Sequence, residues 1–309
     1  RCCSARSSAS SPRDFVVTFD ANMLLQAARH VAAGQQYPKG ALYLVPTPIG
    51  NLADISLRAV HVLDLVDAVA CEDTRVSGQL LRHLGLDKPL MAVHQHNEVG
   101  AAQRVVALLQ EGQRVAYVSD AGTPAVSDPG AHLVAAVQAA GLPVVPLAGP
   151  SAVTTALSAS GDVHAQGFRF LGFLPAKGAA RQTALREALS SQASLVLFEA
   201  PHRIADLATD LAAVCPAGTV TLCRELSKQF EEIATLPVGG LAAWLDAGPH
   251  RQRGEFVLVV HASGAAPDEA ELSPAARALL AELVCHMPVK KAAGLVADVT
   301  GLPRKALYD

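Results

Sequence analysis

A strand-like run that leads directly into a turn-rich loop constrains the fold of this chain more than any other stretch. The apolar run 114–118 is followed by small, acidic and turn-forming residues across 119–130. Gly122 allows backbone conformations that other residues resist, while Asp120 and Thr123 supply hydrogen-bonding groups. The pattern predicts a strand that ends in a loop at the carboxyl edge of a parallel sheet, which is where α/β folds bind small ligands.

The same alternation continues on both sides of this loop. Short apolar runs predict further strands at 41–45, 67–71, 89–93, 143–146, 168–173, 194–198, 219–223 and 255–261. Helical spacing predicts helices between them at 55–66, 76–84, 101–111, 131–140, 152–159, 183–189, 204–214 and 238–245. Strands that alternate with helices predict an α/β fold. A length of 309 residues suffices for about two domains.

Changes in composition divide the chain into four parts. We expect a disordered N-terminal extension at 1–40, in which 22–33 carries the spacing of a short helix. Gly161 and Asp162 are the candidate hinge between the two α/β domains. The domains are therefore expected at 41–161 and 162–262, followed by a helical appendage at 263–309 with helices at 273–285, 290–299 and 303–308, of which the last two form a locally basic segment.

Bulk composition restricts the class of protein. Half of the residues are hydrophobic and the net charge is −3, which excludes a protein that is basic overall but not one with a local basic face. No window approaches the roughly 18 apolar residues of a membrane span, and six cysteines without metal-type spacing indicate reduced thiols, so we expect a cytoplasmic protein. The Ser-rich start resembles a transit peptide in composition; without an initial Met we favour an expression remnant or an upstream-extended reading frame.

Several familiar sites are missing from the sequence. It contains no GxxxxGK[ST] phosphate loop, no GxGxxG after the first strand and no GxSxG nucleophile elbow. His94 and His96, with Glu98, form a lone HxH pattern that is weak evidence for a metal, and we expect none. The remaining loops are shaped by proline and glycine and are mostly neutral. Such loops suit a ligand with an adenosine or amino-acid moiety.

Six segments together carry a resemblance to a known family, and they lie in the same order as in that family. From about residue 40 to its end, the chain resembles the tetrapyrrole methylase family, and within it the branch that methylates small-subunit ribosomal RNA. The segments are Leu44-Val-Pro-Thr-Pro-Ile-Gly-Asn-Leu52, Cys71-Glu-Asp-Thr-Arg75, Ser119-Asp-Ala-Gly-Thr-Pro124 with Ser127-Asp-Pro-Gly130, Gly149-Pro-Ser-Ala152, Phe198-Glu-Ala-Pro-His-Arg203 and Arg224-Glu-Leu-Ser-Lys228.

The resemblance implies an enzyme of two α/β domains with a cofactor cleft between them, commonly a homodimer. It implies S-adenosylmethionine as the cofactor and methyl transfer to a cytidine ribose 2′-hydroxyl of 16S rRNA, in free RNA or in the small ribosomal subunit. The first 40 residues have no counterpart in the family, and Ser227 stands where the branch often has Thr. Carried over residue by residue, the resemblance places these residues around the cofactor: Pro46, Thr47, Pro48, Gly50, Asp120, Gly122, Thr123, Pro124, Ser151, Ala152 and Leu174.

The remaining motifs are expected to face the acceptor RNA. A 2′-hydroxyl is a poor nucleophile while protonated, so a base or a nearby cation would help. The candidate proton acceptors are Asp73, Glu199, His202 and Glu225, and the candidate cations are Arg75, Arg203 and Lys228. Each has a structural alternative: ion pairs of Asp73 with Arg75 and of Glu199 with Arg203, a solvated face for Glu225 and Lys228, and a capping role for Asp120.

Two other functions remain open from the sequence. The same fold could methylate a small molecule such as a tetrapyrrole, although the cationic motifs and the basic appendage are better explained by an RNA backbone. A non-catalytic RNA-binding or nucleotide-binding protein is the third possibility. Lys177, Arg181 and Arg186 lie at helical spacing, which fits a phosphate-binding face as well as any helix surface.

Overall fold

The first sheet consists of five parallel strands with helices on both faces. The structure is a computed structural model that describes residues 20–93, 98–126, 130–262, 274–300 and 304–307. The sheet order is β3-β2-β4-β1-β5, which places the loops after β1 and β4 side by side. Its strands are β1 (Leu42–Leu44), β2 (Ala68–Cys71), β3 (Leu90–Ala92), β4 (Val115–Val118) and β5 (Val144–Pro146).

Two apolar layers cover this sheet. Helices α1 (Ala21–Ala32), α2 (Leu57–Leu65) and α3 (Thr74–His83) pack on one face, and α4 (Glu98–Gln110) and α5 (Ala131–Ala139) pack on the other. Helix α2 begins at Leu57, two residues after the predicted start at 55, because the Ser56 hydroxyl caps it by accepting a hydrogen bond from the Ala59 amide at 3.0 Å. The central strands β1, β2 and β4 are almost wholly buried, which explains why they read as continuous apolar runs, whereas the edge strands β3 and β5 are partly exposed.

The second sheet is mixed, with order β6-β7-β10-β8-β9. Strands β6 (Phe168–Phe173) and β7 (Ser194–Glu199) are parallel, whereas β8 (Thr219–Arg224), β9 (Glu232–Pro237) and β10 (Phe256–Val260) pair antiparallel. Helices α7 (Gly178–Leu189), α8 (Ile204–Val214) and α9 (Leu241–Asp246) cover one face, and α6 (Ala152–Ser160) covers the other. Two α/β units with a helical C-terminal part agree with the expected fold class.

Helix α6 packs against the second sheet although it precedes the expected hinge. Val153 and Ala156 are buried against β7, β8 and β10. Gly161 ends the helix in a left-handed conformation at φ 65°, and the Asp162 carboxylate then accepts hydrogen bonds at 2.7 Å from Ser194 Oγ and the Ala262 amide. These contacts fix the entry to the second unit. The domain boundaries themselves stay a prediction.

Residues 20–40 differ from the disorder expected for 1–40. Helix α1 packs against α2, with Leu25 and Ala28 in the core. Arg29 forms a bidentate ion pair with Asp64, at 2.7 and 3.0 Å. The helical spacing at 22–33 was therefore a better guide than the polar composition of the segment. Residues before 20 lie outside the described part of the chain.

Helix α7 begins at Gly178, five residues earlier than the predicted start at 183. Arg181 is buried, and its Nε lies 2.5 Å from Asp210 Oδ2 on α8. A charged residue therefore takes a buried position near the start of α7, where an apolar residue would be expected. This contact corrects the interpretation of Lys177, Arg181 and Arg186 as one phosphate-binding face. A polar residue paired in this way does not show in a hydrophobic pattern.

The appendage contains α10 (Pro274–His286), α11 (Val289–Thr300) and a 3-10 turn at Arg304–Leu307, where a third helix was predicted. Ala276, Ala293, Val296 and Leu307 form its small apolar core. Among the described residues, no helix combines the length and the apolar character needed to cross a bilayer.

Candidate active site

A cavity of about 320 Å³ opens between the two sheets. The first sheet contributes loops after β1 and β4, α6 contributes its first turn, and the second sheet contributes the ends of β6 and β7 and the start of β10. The described lining residues are Ile49, Ala121, Gly122, Thr123, Val126, Ser151, Ala152, Val153, Phe173, Phe198, Glu199, Ala200, Pro201, Leu226, Glu255, Phe256 and Val257. Most of the lining is apolar side chain or backbone, as the neutral loops predicted.

The loops after β1 and β4 are joined into one wall. Thr47 and Gly122 exchange two backbone hydrogen bonds, at 2.9 and 3.0 Å, and the buried Thr47 hydroxyl donates to the Ser119 carbonyl at 3.1 Å. Gly122 has φ 80°, which favours glycine. Ile49 is the residue of the β1 loop that lines the cavity, whereas Pro46, Thr47, Pro48 and Gly50 are absent from the described lining.

Gly50 lies against the second unit. A Cβ atom at Gly50 would lie 2.4 Å from Lys228 Cγ and 2.9 Å from the Leu226 carbonyl oxygen. The neighbouring Ser227 hydroxyl hydrogen-bonds to the Asp54 carboxylate. The loop 225–228 is itself unusual, because Glu225 and Ser227 have positive φ values of 52° and 66°. The two halves of the cleft therefore meet at Gly50.

The entry of α6 brings backbone donors to the cavity. Ser151, Ala152 and Val153 line it, and the Ser151 hydroxyl makes no capping hydrogen bond to its own helix. The Thr123 hydroxyl donates to the Pro150 carbonyl at 3.0 Å, which ties the β4 loop to this helix start. Free amide groups at a helix N-terminus favour an anionic or electron-rich ligand group.

Three other predicted cofactor residues lie outside the lining. Asp120 is exposed, and its Oδ1 accepts a hydrogen bond from the Asp73 amide at 3.1 Å, which is the capping alternative. Pro124 is buried in the β4 loop. Leu174 is buried in the second core, where its carbonyl accepts a hydrogen bond from Arg203 Nη2 at 2.6 Å, while the neighbouring Phe173 faces the cavity.

Asp73 and Arg75 form the ion pair that was their structural alternative. Asp73 caps α3 by accepting from the Arg75 amide at 2.8 Å, and Arg75 Nη2 lies 2.5 Å from Asp73 Oδ2. Hydrogen bonds from Arg75 lower the pKa of Asp73 to about 2. A carboxylate with so low a pKa is a weak base, and neither residue lines the cavity.

Glu199, at the end of β7, is buried and lines the cavity. Its Oε1 atom accepts a hydrogen bond from the Ala200 amide at 2.9 Å and lies 3.0 Å from Arg203 Nε in an ion pair. Its Oε2 atom is buried without a hydrogen-bond partner. His202 is exposed and lies outside the lining. The structure thus contains the predicted ion pair of Glu199 with Arg203 and still leaves one carboxylate oxygen unpaired.

Glu225 and Lys228 belong to an ion-pair network rather than to a solvated face. Lys228 Nζ lies 2.9 Å from Glu225 Oε1 and 3.0 Å from Glu255 Oε2. Burial raises the pKa of Glu225, but the hydrogen bonds from the Glu255 amide and from Lys228 outweigh it and lower the pKa below its usual value. Burial lowers the pKa of Lys228, but its bonds to both carboxylates raise it overall.

Several lining residues were missed in the sequence because they are apolar and follow strands. Phe173, at the end of β6, is 57% exposed at the cavity, and its ring centroid lies 5.8 Å from that of Phe198. Leu226 and Phe256 resemble ordinary core residues. Their one available signal was position, since each lies within three residues of one end of a predicted strand.

The HxH pattern and the loop after β4 lie partly outside the described residues. His94 and His96 of the HxH pattern are not described, while Glu98 is buried and its Oε1 accepts hydrogen bonds from the Gly130 and His132 amides, at 2.9 and 3.2 Å. Ser127, Asp128 and Pro129 of the β4 loop are also not described. Glu98 therefore caps α5 and holds the far end of that loop.

The family model for Tetrapyrrole (Corrin/Porphyrin) Methylases matches residues 41–242. The chain belongs to the tetrapyrrole methylase family. A second model, the RsmI C-terminal HTH domain, matches residues 270–309, which contain α10 and α11.

Curated members of the tetrapyrrole methylase family include close relatives. Ribosomal RNA small subunit methyltransferase I of Escherichia coli O157:H7 is 47% identical over 271 residues, which cover 87% of this chain and 94% of that protein. The protein of the same name from Vibrio cholerae serotype O1 is also 47% identical, over 88% of this chain and 94% of its own length.

Solved structures share the tetrapyrrole methylase fold. The methyltransferase CobJ has a TM-score of 0.55 at 18% identity and covers 72% of this chain and 95% of its own. Uroporphyrin-III C-methyl transferase from Thermus thermophilus, complexed with S-adenyl homocysteine, has a TM-score of 0.51 at 17% identity, with coverages of 72% and 97%. At these identities the likeness is one of fold.

Proposed function

We propose that this protein is an S-adenosylmethionine-dependent methyltransferase that acts on a cytidine ribose 2′-hydroxyl of small-subunit ribosomal RNA. The observation that carries the proposal is the 47% identity to ribosomal RNA small subunit methyltransferase I across 87% of the chain. The order of the six motifs and the cleft between two α/β units support it. No specific observation favours a tetrapyrrole as the acceptor.

The cleft fits S-adenosylmethionine as the methyl donor. A mostly apolar cavity that the first turn of α6 also lines offers apolar side chains and backbone amides as partners for the apolar and the polar parts of a nucleoside. When bound, S-adenosylmethionine supplies an activated methyl group on a positively charged sulfur. We propose that Ile49, Ala121, Gly122, Thr123, Ser151 and Ala152 contact it directly, and that Pro46, Thr47, Pro48, Gly50, Asp120, Pro124 and Leu174 hold these contacts in place.

The protein contributes mainly by aligning the two reactants. Alignment of two bound reactants can be worth about 7–11 kcal/mol of the barrier. The apolar lining excludes water from the cleft, and the Thr47–Gly122 bridge fixes the loop that faces the donor. We further propose that Arg75 and Lys228 approach phosphates of the RNA from the rim of the cleft, and that the exposed His202 acts in binding rather than in proton transfer.

The appendage is proposed to contact RNA as well. Lys290 and Lys291 are exposed at the start of α11, in the segment matched by the HTH model. Exposed cations can bind phosphate without any base contact. We also propose a cytoplasmic homodimer, as the resemblance implies, and light scattering of the purified protein measures its oligomeric state.

The direct test uses small ribosomal subunits that lack the modification. We expect purified protein to transfer a labelled methyl group from S-adenosylmethionine to 16S rRNA, at one cytidine ribose on mapping. Label on a base, label in a tetrapyrrole offered in parallel, or no label at all would each refute the proposed activity. Calorimetry with S-adenosylmethionine measures the cofactor separately.

A further inference from the structure

The sequence offered four candidate proton acceptors and gave no reason to prefer one of them. Their positions relative to the cavity now distinguish them. Of the described residues that line the cavity, Glu199 and Glu255 carry ionisable side chains. Asp73, His202 and Glu225 are absent from that lining. A group that takes a proton from a bound substrate must reach it within hydrogen-bonding distance or through one water. Glu199 and Glu255 are therefore the two candidates that geometry supports.

Glu255 is paired with a lysine and is mostly exposed to solvent. Its side chain is 78% exposed, and its Oε2 lies 3.0 Å from Lys228 Nζ. The same lysine binds Glu225 at 2.9 Å, so the two carboxylates share one cation at the rim of the cleft. Glu255 therefore already has an ionic partner and water around it, and it does not need a ligand to complete its contacts.

Glu199 has the opposite surroundings. Its side chain has no exposed surface, and one oxygen is held by the Ala200 amide and by the Arg203 guanidinium. The other oxygen, Oε2, has no hydrogen-bond partner among the described residues. A buried acceptor without a partner is costly and rare in folded proteins. Glu199 also lines the cavity, so a ligand bound there can supply the missing donor.

We propose that Glu199 is the proton acceptor of the reaction, with Oε2 receiving the proton of the attacking ribose hydroxyl. This inference rests on the proposed function. The hydroxyl oxygen forms a bond to the methyl carbon while the carbon–sulfur bond breaks, and the electron pair of that bond remains on sulfur. The hydroxyl proton passes to Oε2, and the protonated Glu199 then returns it to solvent. The sulfonium becomes a neutral thioether, and the ribose carries a methyl ether.

Arg203 is the positioning residue for this carboxylate. Its Nη2 donates to the Leu174 carbonyl at 2.6 Å, which anchors the guanidinium to the loop after β6. Its Nε lies 3.0 Å from Glu199 Oε1 but does not meet hydrogen-bond geometry, so this contact is mainly electrostatic. With Oε1 held by Arg203 and Ala200, the carboxylate has one orientation, in which Oε2 is the free atom.

The decisive variant is Glu199→Gln, which keeps the size and the Oε1 acceptor and removes the basic oxygen. We expect kcat on small subunits to fall by about 10²–10⁴-fold, with an unchanged calorimetric Kd for S-adenosylmethionine. The rise of kcat with pH on the acid side should disappear as well. Glu187→Gln, the same exchange at an exposed position on α7, is the matched control and should behave as the wild type.

Arg203→Gln provides the second measurement, with Arg203→Lys as its conservative partner. Without a cation beside it, the Glu199 carboxylate loses its fixed orientation, so kcat should fall, and Arg203→Lys, which keeps a cation, should recover part of the loss. A merely structural role for Arg203 would lower stability without lowering the kcat of the folded enzyme.

Three outcomes would overturn the assignment while the wild type remains active. They are a kcat for Glu199→Gln within about tenfold of the wild type, an intact acid side of its pH profile, or a loss confined to the Kd of S-adenosylmethionine. The last result would place the free oxygen on the cofactor instead. Failure of the proposed function looks different, because the wild type would then transfer no methyl group to rRNA.

Discussion

Gly50→Ala tests whether the two halves of the cleft depend on close contact at this residue. The added Cβ would lie 2.4 Å from Lys228 Cγ and 2.9 Å from the Leu226 carbonyl oxygen. The lysine side chain can rotate away, but the carbonyl belongs to the backbone of a loop that already contains two residues with positive φ. The loop must therefore move as a unit.

The size of the effect follows from the cost of overpacking. Forcing one extra carbon into a filled contact costs about 1–3 kcal/mol. Leu226 lines the cavity, so displacement of its loop also changes the wall that faces the cofactor. If the whole overpacking cost weakens cofactor binding, the Kd for S-adenosylmethionine rises by roughly tenfold to a hundredfold, since each 1.4 kcal/mol of binding free energy is about a factor of ten in Kd.

Calorimetry with S-adenosylmethionine and equilibrium unfolding in urea measure the two parts of this effect. Gly34→Ala is the matched control, because a Cβ at Gly34 would meet no atom within 4 Å. We expect the control to match the wild type in both assays. The reasoning is refuted if Gly50→Ala is as stable as the control and binds the cofactor equally well.

The remaining predictions concern charges and thiols. Arg181→Met leaves the buried Asp210 without its cation, so the free energy of unfolding in urea should fall by about 3–5 kcal/mol, and replacing both partners with apolar residues should restore much of the loss. The pKa of Asp73 lies below its ordinary value of 3.8, so its contribution to stability is present above that pH and lost as the pH falls towards about 2; the stability difference between the wild type and Asp73→Asn should shrink over this interval in pH-dependent unfolding. Burial raises the pKa of Cys223 to about 12, so peptide mass mapping after mild alkylation at pH 8 should find it unmodified while the exposed Cys285 reacts.

The strands and most helices could be predicted because buried parallel strands leave continuous apolar runs and covering helices leave an apolar stripe. The start of α7 shows the limit of this reasoning. Helix α7 carries the buried Arg181, whose partner Asp210 lies on the next helix. A hydrophobic pattern records the burial of apolar residues and does not record a charge that is neutralised by a distant residue.

For the candidate site, the sequence predicted which loops come together but not which of their side chains line the cavity. The loops after β1, β4 and β7 do line the cavity, because the carboxyl ends of parallel strands share one edge, whereas the loop 72–75 after β2 does not. Which side chain of a loop faces inward was not predictable: Ile49 lines the cavity while Pro48 and Gly50 are absent from its described lining. The contact of Gly50 with Leu226 joins distant segments, and nothing local in either segment records it.

Helix α6 shows that the boundary in sequence and the boundary in packing differ. Its first turn lines the cavity beside the β4 loop, while Val153 and Ala156 pack on the second sheet. The chain therefore crosses from one sheet to the other between β5 and α6, where the Thr123 hydroxyl donates to the Pro150 carbonyl at 3.0 Å. Gly161 lies after this crossing, because α6 already packs on the second sheet. The segment 149–152 thus connects the two units, and its residues Ser151 and Ala152 also line the cavity.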